Sequence, residues 1–362
     1  MLNKIQNLKI QIMSDGIVID QGAREALAKK DKSPTDSFEN HSTTSGIVLI
    51  LPGDIYVNAR FSEKKNNSEI KLNFVDGQYV LIDGSVNYPI NIVPLPIYVN
   101  EKDLAGNSYK EFVVTIADRI RISPIIGCSF GCKYCDINRS RYKKITVEEL
   151  LAGIDIALRD TNTRPDHLLI SGGTPRVEDR AYLDDVYEKV TNYCQQKNLP
   201  VDVMLSPRDE RDYLERLKSW GVDTLSINIE IFNEKIAREI NPQKAAITKE
   251  FYLKFISQAV KIFGKGKVRS LLIIGLEPLE DTLKGVEALA KIGCDVVLSP
   301  FIPFEKTDLA HLDAPTPEDL KKVYLKSLII VNKYDVKIGP RCIPCQHNTL
   351  AFSDNSGEYF FN

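Results

Sequence analysis

No run of 18 apolar residues occurs in the 362-residue chain, so no segment is expected to cross a membrane. Neither sign of charge is in excess: 47 basic side chains stand against 49 acidic ones, a net charge of −2. Such a balance directs no field at phosphates, which argues against a nucleic-acid or membrane-surface partner. The opening MLNKIQNLKIQIM lacks both an uninterrupted apolar core and a small-residue cleavage site, so secretion is not expected. A disulfide framework is missing too. The seven cysteines are odd in number and clustered, which points to metal ligands in a reducing compartment, here the cytoplasm.

The chain does carry the makings of a full core. It is 43% hydrophobic, 27% charged and 8% aromatic, ordinary for a globular protein. Its length allows one large α/β barrel or two to three smaller domains. Residues 29–45, KKDKSPTDSFENHSTTS, are polar and read as a loop or partly disordered insert, with His41 solvated. Short β-branched runs follow at 46–51, 54–61, 69–75 and 78–82, and Asp76-Gly77 between the last two is a hairpin signal. Pro89, Pro94 and Pro96 should confine the next run to an edge or an irregular stretch. Residues 1–118 thus read as a mostly-β N-terminal domain without recognisable chemistry.

From residue 119 strands alternate with helices, the sign of a parallel sheet with crossovers. Strands are predicted at Arg121–Ile126, His167–Ser171, Val201–Leu205, Thr224–Glu230, Arg269–Gly275 and Asp295–Pro300. Thr146-Val-Glu-Glu149 is a capping box, and Gly221 and Gly293 stop helices near 209–220 and 281–292. Six β/α units result, over 119–310. In α/β barrels the loops after the strands build the active site.

The first strand leads directly into Cys128-Ser-Phe-Gly-Cys132-Lys-Tyr-Cys135. Three thiolates this close select zinc, copper(I) or iron–sulfur clusters, and no fourth cysteine stands nearby to close the site. One reading is a zinc site completed from a distance by Cys342 or Cys345. Cys-x3-Cys-x2-Cys with Tyr134 before the last cysteine also resembles the signature of the radical S-adenosylmethionine (SAM) enzymes. The resemblance implies an incomplete (β/α)6 TIM-type barrel. It implies a [4Fe–4S] cluster on Cys128, Cys132 and Cys135, with S-adenosylmethionine chelated to the fourth iron. Reductive cleavage to a 5′-deoxyadenosyl radical and hydrogen abstraction from a small organic substrate follow, with a flavodoxin or ferredoxin as electron donor.

Later strand ends extend the likeness. Gly172-Gly173-Thr174-Pro175 resembles the family's Gly-Gly-Glu-Pro motif, which holds the S-adenosylmethionine amino group; Thr174 stands where Glu is usual. Alternation puts Ser226, Asn228 and Glu230 on one face, where buried polar groups need partners such as a ribose diol. Asn-x-Glu here is similar to the Asn-x-Asp ribose pair of biotin synthase. Arg238 is similar in placement to a partner of the S-adenosylmethionine carboxylate, and Ile273 and Gly275 to residues flanking adenine. Leu298 to Leu309 resembles the biotin synthase branch, with Lys306 in place of Gly.

The tail, residues 311–362, carries Cys342-Ile-Pro-Cys345-Gln-His347. The pair could help hold an auxiliary iron–sulfur cluster, bind zinc with His347, with or without His311, or donate a hydrogen atom to a substrate radical as catalytic thiols. Cys194 and Cys294 read as core residues. The basic loop Arg139–Lys144 reads as a solvated connection or a steering patch for an anionic substrate. The expected function is a radical SAM enzyme of a biosynthetic pathway, inserting sulfur or rearranging its substrate. An epimerase or lyase, and a zinc-stabilised barrel without activity, are the alternatives.

Overall fold

The computed structural model describes residues 2–30, 38, 46–61, 68–103 and 106–352. Most of the insert read at 29–45, His41 included, lies outside them. Among the described residues no helix is long and apolar enough to cross a membrane.

The N-terminal part begins with α1 (Lys4–Asp15), where Asn3 and Gln6 cap each other's backbone N–H groups at 2.9 Å. It continues through β1 (Val18–Ile19), α2 (Gln21–Lys30), β2 (Ile47–Leu51), β3 (Ile55–Ala59), β4 (Lys71–Val75), β5 (Gln78–Asp83) and β6 (Val86–Ile92). The strands form one sheet in the order β1-β4-β5-β6-β2-β3, antiparallel except for β1 beside β4. Asp76 and Gly77 turn the β4–β5 hairpin with φ of 50° and 81°, the two left-handed residues such a turn requires. The prolines do not push β6 to an edge. It lies between β5 and β2, and β2 pairs with Asn91 and Ile92 only, so Pro89 owes that neighbour no hydrogen bond.

The second sheet holds the barrel. Its strands are β7 (Val113–Ile116) and β8 (Arg119–Ile122), then, past a small antiparallel pair β9 (Ile125–Ile126) and β10 (Lys143–Lys144), β11 (His167–Ile170), β12 (Val201–Met204), β13 (Thr224–Ser226), β14 (Val268–Ile274), β15 (Asp295–Pro300) and β16 (Ile338–Gly339). The order is β16-β15-β14-β13-β12-β11-β8-β7, parallel apart from the β7–β8 hairpin. Helices α3 (Val147–Leu158), α4 (Arg180–Gln196), α5 (Tyr213–Ser219), α6 (Glu234–Ile240), α7 (Pro242–Ala246), α8 (Lys249–Phe263), α9 (Leu279–Lys291) and α10 (Pro317–Lys333) make the crossovers. This is a partial (β/α)6 TIM-type barrel.

Local chemistry explains the boundaries. Thr146 and Glu149 close the expected capping box on α3 at 2.8 and 3.2 Å. Gly221 and Gly293 follow α5 and α9 with φ of 94° and 79°. The strand expected over Thr224–Glu230 is regular only to Ser226. Beyond it, side chains replace the ladder: Ile229 N–H donates to Ser270 Oγ at 3.1 Å, and Leu271 N–H to Asn228 Oδ1 at 3.2 Å. Backbone pairing returns at a single bridge between Glu230 and Leu272.

Candidate functional site

Alternation along the strands decides what faces the lumen. In β8 Ile120 and Ile122 are buried away from it, and Arg119 and Arg121 line the barrel cavity. His167 and Leu169, Asp202 and Met204, Thr224 and Ser226, and Arg269 and Leu271 do the same from β11 to β14. The cavity measures about 760 Å³ and runs from the strand ends to the strand starts. Low in it, the Asp202 carboxylate accepts from both Arg269 guanidinium nitrogens, with Nη1 at 3.1 Å from Oδ1, and from the Thr224 hydroxyl at 2.9 Å. Arg121 sits one layer higher, pushed down to about 10 by burial and by the neighbouring Arg119 charge.

The three cysteines stand at the cavity's mouth, on the loop that leaves β8. Cys128 Sγ accepts from the backbone N–H of Thr174 at 3.1 Å and of Phe130 at 3.3 Å. Burial, reinforced by Glu230, pushes the Cys132 thiol up to about 11, and burial takes Cys135 up to about 12. Thiols so shifted keep their protons at neutral pH until a metal displaces them. The loop is tied down from outside. Lys133 N–H donates to Ile240 O at 2.9 Å, Gly131 N–H to Gln243 Oε1 at 3.1 Å, and Asp308 N–H to Lys133 O at 3.1 Å. Part of the basic loop is spent likewise: Arg139 pairs with Asp308, and Lys144 with Asp179 at 2.8 Å.

Gly172 and Gly173 follow β11, and they press on the cysteine loop. A Cβ on Gly173 would lie 1.7 Å from Gly127 O and 2.7 Å from Cys128 Cα. The space the glycine leaves is therefore filled by this chain's own backbone, and Thr174 N–H is thereby aimed at the Cys128 sulfur.

Ser226, Asn228 and Glu230 reach the same cavity, although the backbone between them is irregular. Asn228 Oδ1 accepts from Ser226 Oγ at 3.0 Å and from Leu271 N–H. Glu230 has a left-handed φ of 70°, and its carboxylate is engaged on both oxygens: Tyr134 OH donates to one, and Lys244 pairs with the other at 2.7 Å. Burial opposes the Lys244 charge, and Glu230 overrides it, raising the ammonium above its ordinary value.

Three expected residues lie elsewhere. Arg238 has 73% of its side chain exposed and pairs at 3.5 Å with Glu234, one turn back on α6. Ile273 belongs to an apolar cluster with Ile231, Leu276 and Phe301, packed behind Tyr134. A Cβ on Gly275 would lie 3.2 Å from the ring of Pro315. None of the three lines the cavity.

The tail crosses the barrel at the end opposite the cysteine triad. After α10 and β16, the segment Pro344–Asn348 passes beneath the strand starts, where Cys345 Sγ lies 3.3 Å from His167 Nε2 and Cys342 Sγ 3.3 Å from Asp118 Oδ2. A four-residue strand spans about 13 Å, so these thiols sit roughly that far below the cysteine triad. The histidine beside them is neither His347, which donates to Pro344 O at 2.8 Å, nor the exposed His311. His167 and Asp118 were missed because both belong to strand starts distant in sequence from the pair. Burial raises the Asp118 carboxyl to about 7, helped by Cys345. Burial would also lift the Cys345 thiol, yet Cys342, Arg119 and His167 together hold it well below the ordinary range. Cys194 and Cys294 are fully buried core residues.

The sequence model of the Radical SAM superfamily matches residues 122–310. The bacteriochlorophyllide c C-7(1)-hydroxylase of Chlorobaculum limnaeum is 26% identical over 46% of this chain and 44% of its own length. A dual-specificity RNA methyltransferase, RlmN, of Nitratiruptor sp. is 22% identical over 66% of this chain and 70% of its own. Among solved structures, HydG, a maturase of the [FeFe]-hydrogenase, superposes with a TM-score of 0.50 at 18% identity, over 64% of this chain and 52% of that one. The chain spans about half the length of the hydroxylase and of HydG, and the structural likeness speaks for the barrel fold.

Proposed function

The chain belongs to the radical SAM superfamily, whose enzymes use a [4Fe–4S] cluster and S-adenosylmethionine, and on that premise we propose that Cys128, Cys132 and Cys135 hold the cluster and that the lumen below takes a small organic substrate. When bound, the pair of cofactors supplies reductive cleavage of the sulfonium and a radical able to take hydrogen from a C–H bond. The donor set fits. Three thiols face one mouth, and among the described residues they are not among the ligand groups drawn within 4.8 Å of one another. One zinc ion would need sulfurs about 3.8 Å apart, given Zn–S bonds near 2.3 Å, so the triad suits a larger, multinuclear group.

The chain's own contribution is orientation. Thr174 N–H on Cys128 tunes a ligand sulfur, as hydrogen bonds to cluster thiolates do. Ser226 and Asn228 offer polar groups at the mouth, and Lys244 and Tyr134 fix the Glu230 carboxylate beside them. Below, Arg119 and Arg121 line the lumen from successive inward positions of β8. The tail closes the far end, which favours a small molecule over RNA as substrate. A flavodoxin or ferredoxin is the reductant in this reading, and the cytoplasm its location. The observation that carries it is the cysteine loop seated over the strand ends and locked there by Gly172-Gly173.

The test is anaerobic reconstitution with iron and sulfide, then dithionite and S-adenosylmethionine. We expect four irons per chain and 5′-deoxyadenosine, both lost in Cys132→Ala. No 5′-deoxyadenosine at all would overturn the reading.

A further inference from the structure

At the end of the barrel opposite the cysteine triad, four side chains from three separate segments meet. Asp118 lies in the β7–β8 turn, His167 opens β11, and Cys342 and Cys345 come from the tail. One ligand atom from each lies within 4.8 Å of all the others, among the described residues the one group of three or more metal-ligand side chains that does so. We propose that these four residues form a site for a single thiophilic divalent ion, zinc foremost, separate from the cluster at the rim.

The geometry is that of one ion. Tetrahedral zinc with bonds of about 2.0–2.3 Å keeps its ligand atoms roughly 3.3–3.8 Å apart. The Nε2–Sγ and Sγ–Oδ2 distances are both 3.3 Å. Two thiolates, an imidazole and a carboxylate match zinc's donor preferences, and four protein ligands leave no open position, as in structural sites.

The surroundings are also those of a metal centre. His167 Nδ1 meets Asp166 Oδ1 at 2.8 Å, which turns Nε2 toward Cys345. A carboxylate behind a ligating histidine in this way fixes its tautomer and ring. Cys345 N–H donates to Cys342 Sγ at 3.3 Å, which holds the two sulfurs in a Cys-x2-Cys bite. Two thiolates and one carboxylate around a divalent ion leave one negative charge, and the Arg119 guanidinium stands next to both thiols and Asp118 to offset it.

The same facts count against an auxiliary iron–sulfur cluster. Such a cluster wants four cysteines or a close substitute. The remaining two, Cys194 on α4 and Cys294 beside β15, are buried in the core and do not join the group. A hydrogen-donor role fares no better, since both thiols would be bound to metal and far from the rim. The ion's task is to staple the tail across the strand starts and shut the lumen.

The test uses the full-length Cys128→Ser/Cys132→Ser/Cys135→Ser variant, so that any metal found lies away from the triad whatever becomes of the radical SAM reading. Expressed with zinc and measured by plasma mass spectrometry, it should hold about one zinc per chain. His167→Ala and Cys345→Ser in that background should lose it, and His347→Ala and His311→Ala should keep it. Asp166→Asn, which touches no metal, should weaken zinc binding about 10–100-fold against a competing chelator. Cobalt(II) loaded into the variant with an intact tail should give thiolate charge-transfer and tetrahedral d–d bands, a readout that survives if a ligand substitution unfolds the chain. No metal above background, metal that survives His167→Ala in folded protein, or iron with inorganic sulfide at the tail would each overturn the site.

Discussion

Gly173 has no room for a side chain, because a Cβ would lie 1.7 Å from the Gly127 carbonyl oxygen. Backbone cannot retreat as a flexible side chain can, so Gly173→Ala should displace the cysteine loop. We expect far less iron per reconstituted chain than in wild type, while circular dichroism stays near normal; a full complement of iron would show that the loop tolerates the shift. Glu230 is the other residue under constraint. Its left-handed backbone holds the carboxylate between Tyr134 and Lys244, both mostly buried. Removing one member of a buried pair strands the other charge, which costs about 3–5 kcal/mol. Glu230→Gln should therefore cost on that order by urea titration, and Tyr134→Phe markedly less. The residue types here were legible in the sequence, as Cys-x3-Cys-x2-Cys and the polar Ser226, Asn228 and Glu230. The claim of Lys244 on Glu230 was not, since fourteen positions and a helix separate them along the chain.

Elements follow from local rules, and they can be tested one at a time. The Thr146–Glu149 box satisfies two orphan N–H groups at the start of α3, which covers β7 and β8 just behind the cysteine loop. Thr146→Ala should cost about 1 kcal/mol, seen as a fall of a few degrees in the melting midpoint. An unchanged midpoint would mean that packing alone holds the helix start. Elements were read well where signals are short-range: Asp76-Gly77, Gly221 and Gly293 act as punctuation within a few residues of themselves. They were misread where a partner strand decides. Pro89 looks like an edge residue until the offset pairing of β2 is known. The strand past Ser226 looks regular until Asn228 and Ser270 replace its backbone partners.

At the scale of the molecule, one buried lysine links the two ends of the chain. Lys9 on α1 is fully buried, and its ammonium donates to Gln346 O at 2.8 Å and to Ala351 O at 2.7 Å, over the ring of Phe352. The N-terminal part thus holds the tail under the barrel. Burial takes this group from its ordinary value near 10.5 to about 7. A base whose folded value is depressed binds its proton less well in the folded state. Its destabilising effect is full below about pH 7 and fades as pH climbs toward 10.5. Wild type should therefore gain stability between pH 7 and 9, by about 2 kcal/mol at roughly 1.4 kcal/mol per pH unit, relative to Lys9→Met. Parallel pH profiles for the two proteins would show that Lys9 stays charged throughout.

The sequence alone determined the barrel and the cysteine triad, because period-two alternation, caps and a three-thiol spacing are each set within a handful of residues. The tertiary structure alone decided which residues share a space. Strand register turned Arg119, Arg121, His167 and Asp202 into one lumen, left Arg238 in solvent, and carried Cys342 and Cys345 to the end opposite the triad. Contacts across a hundred residues or more depend on how layers stack, and no local pattern records that.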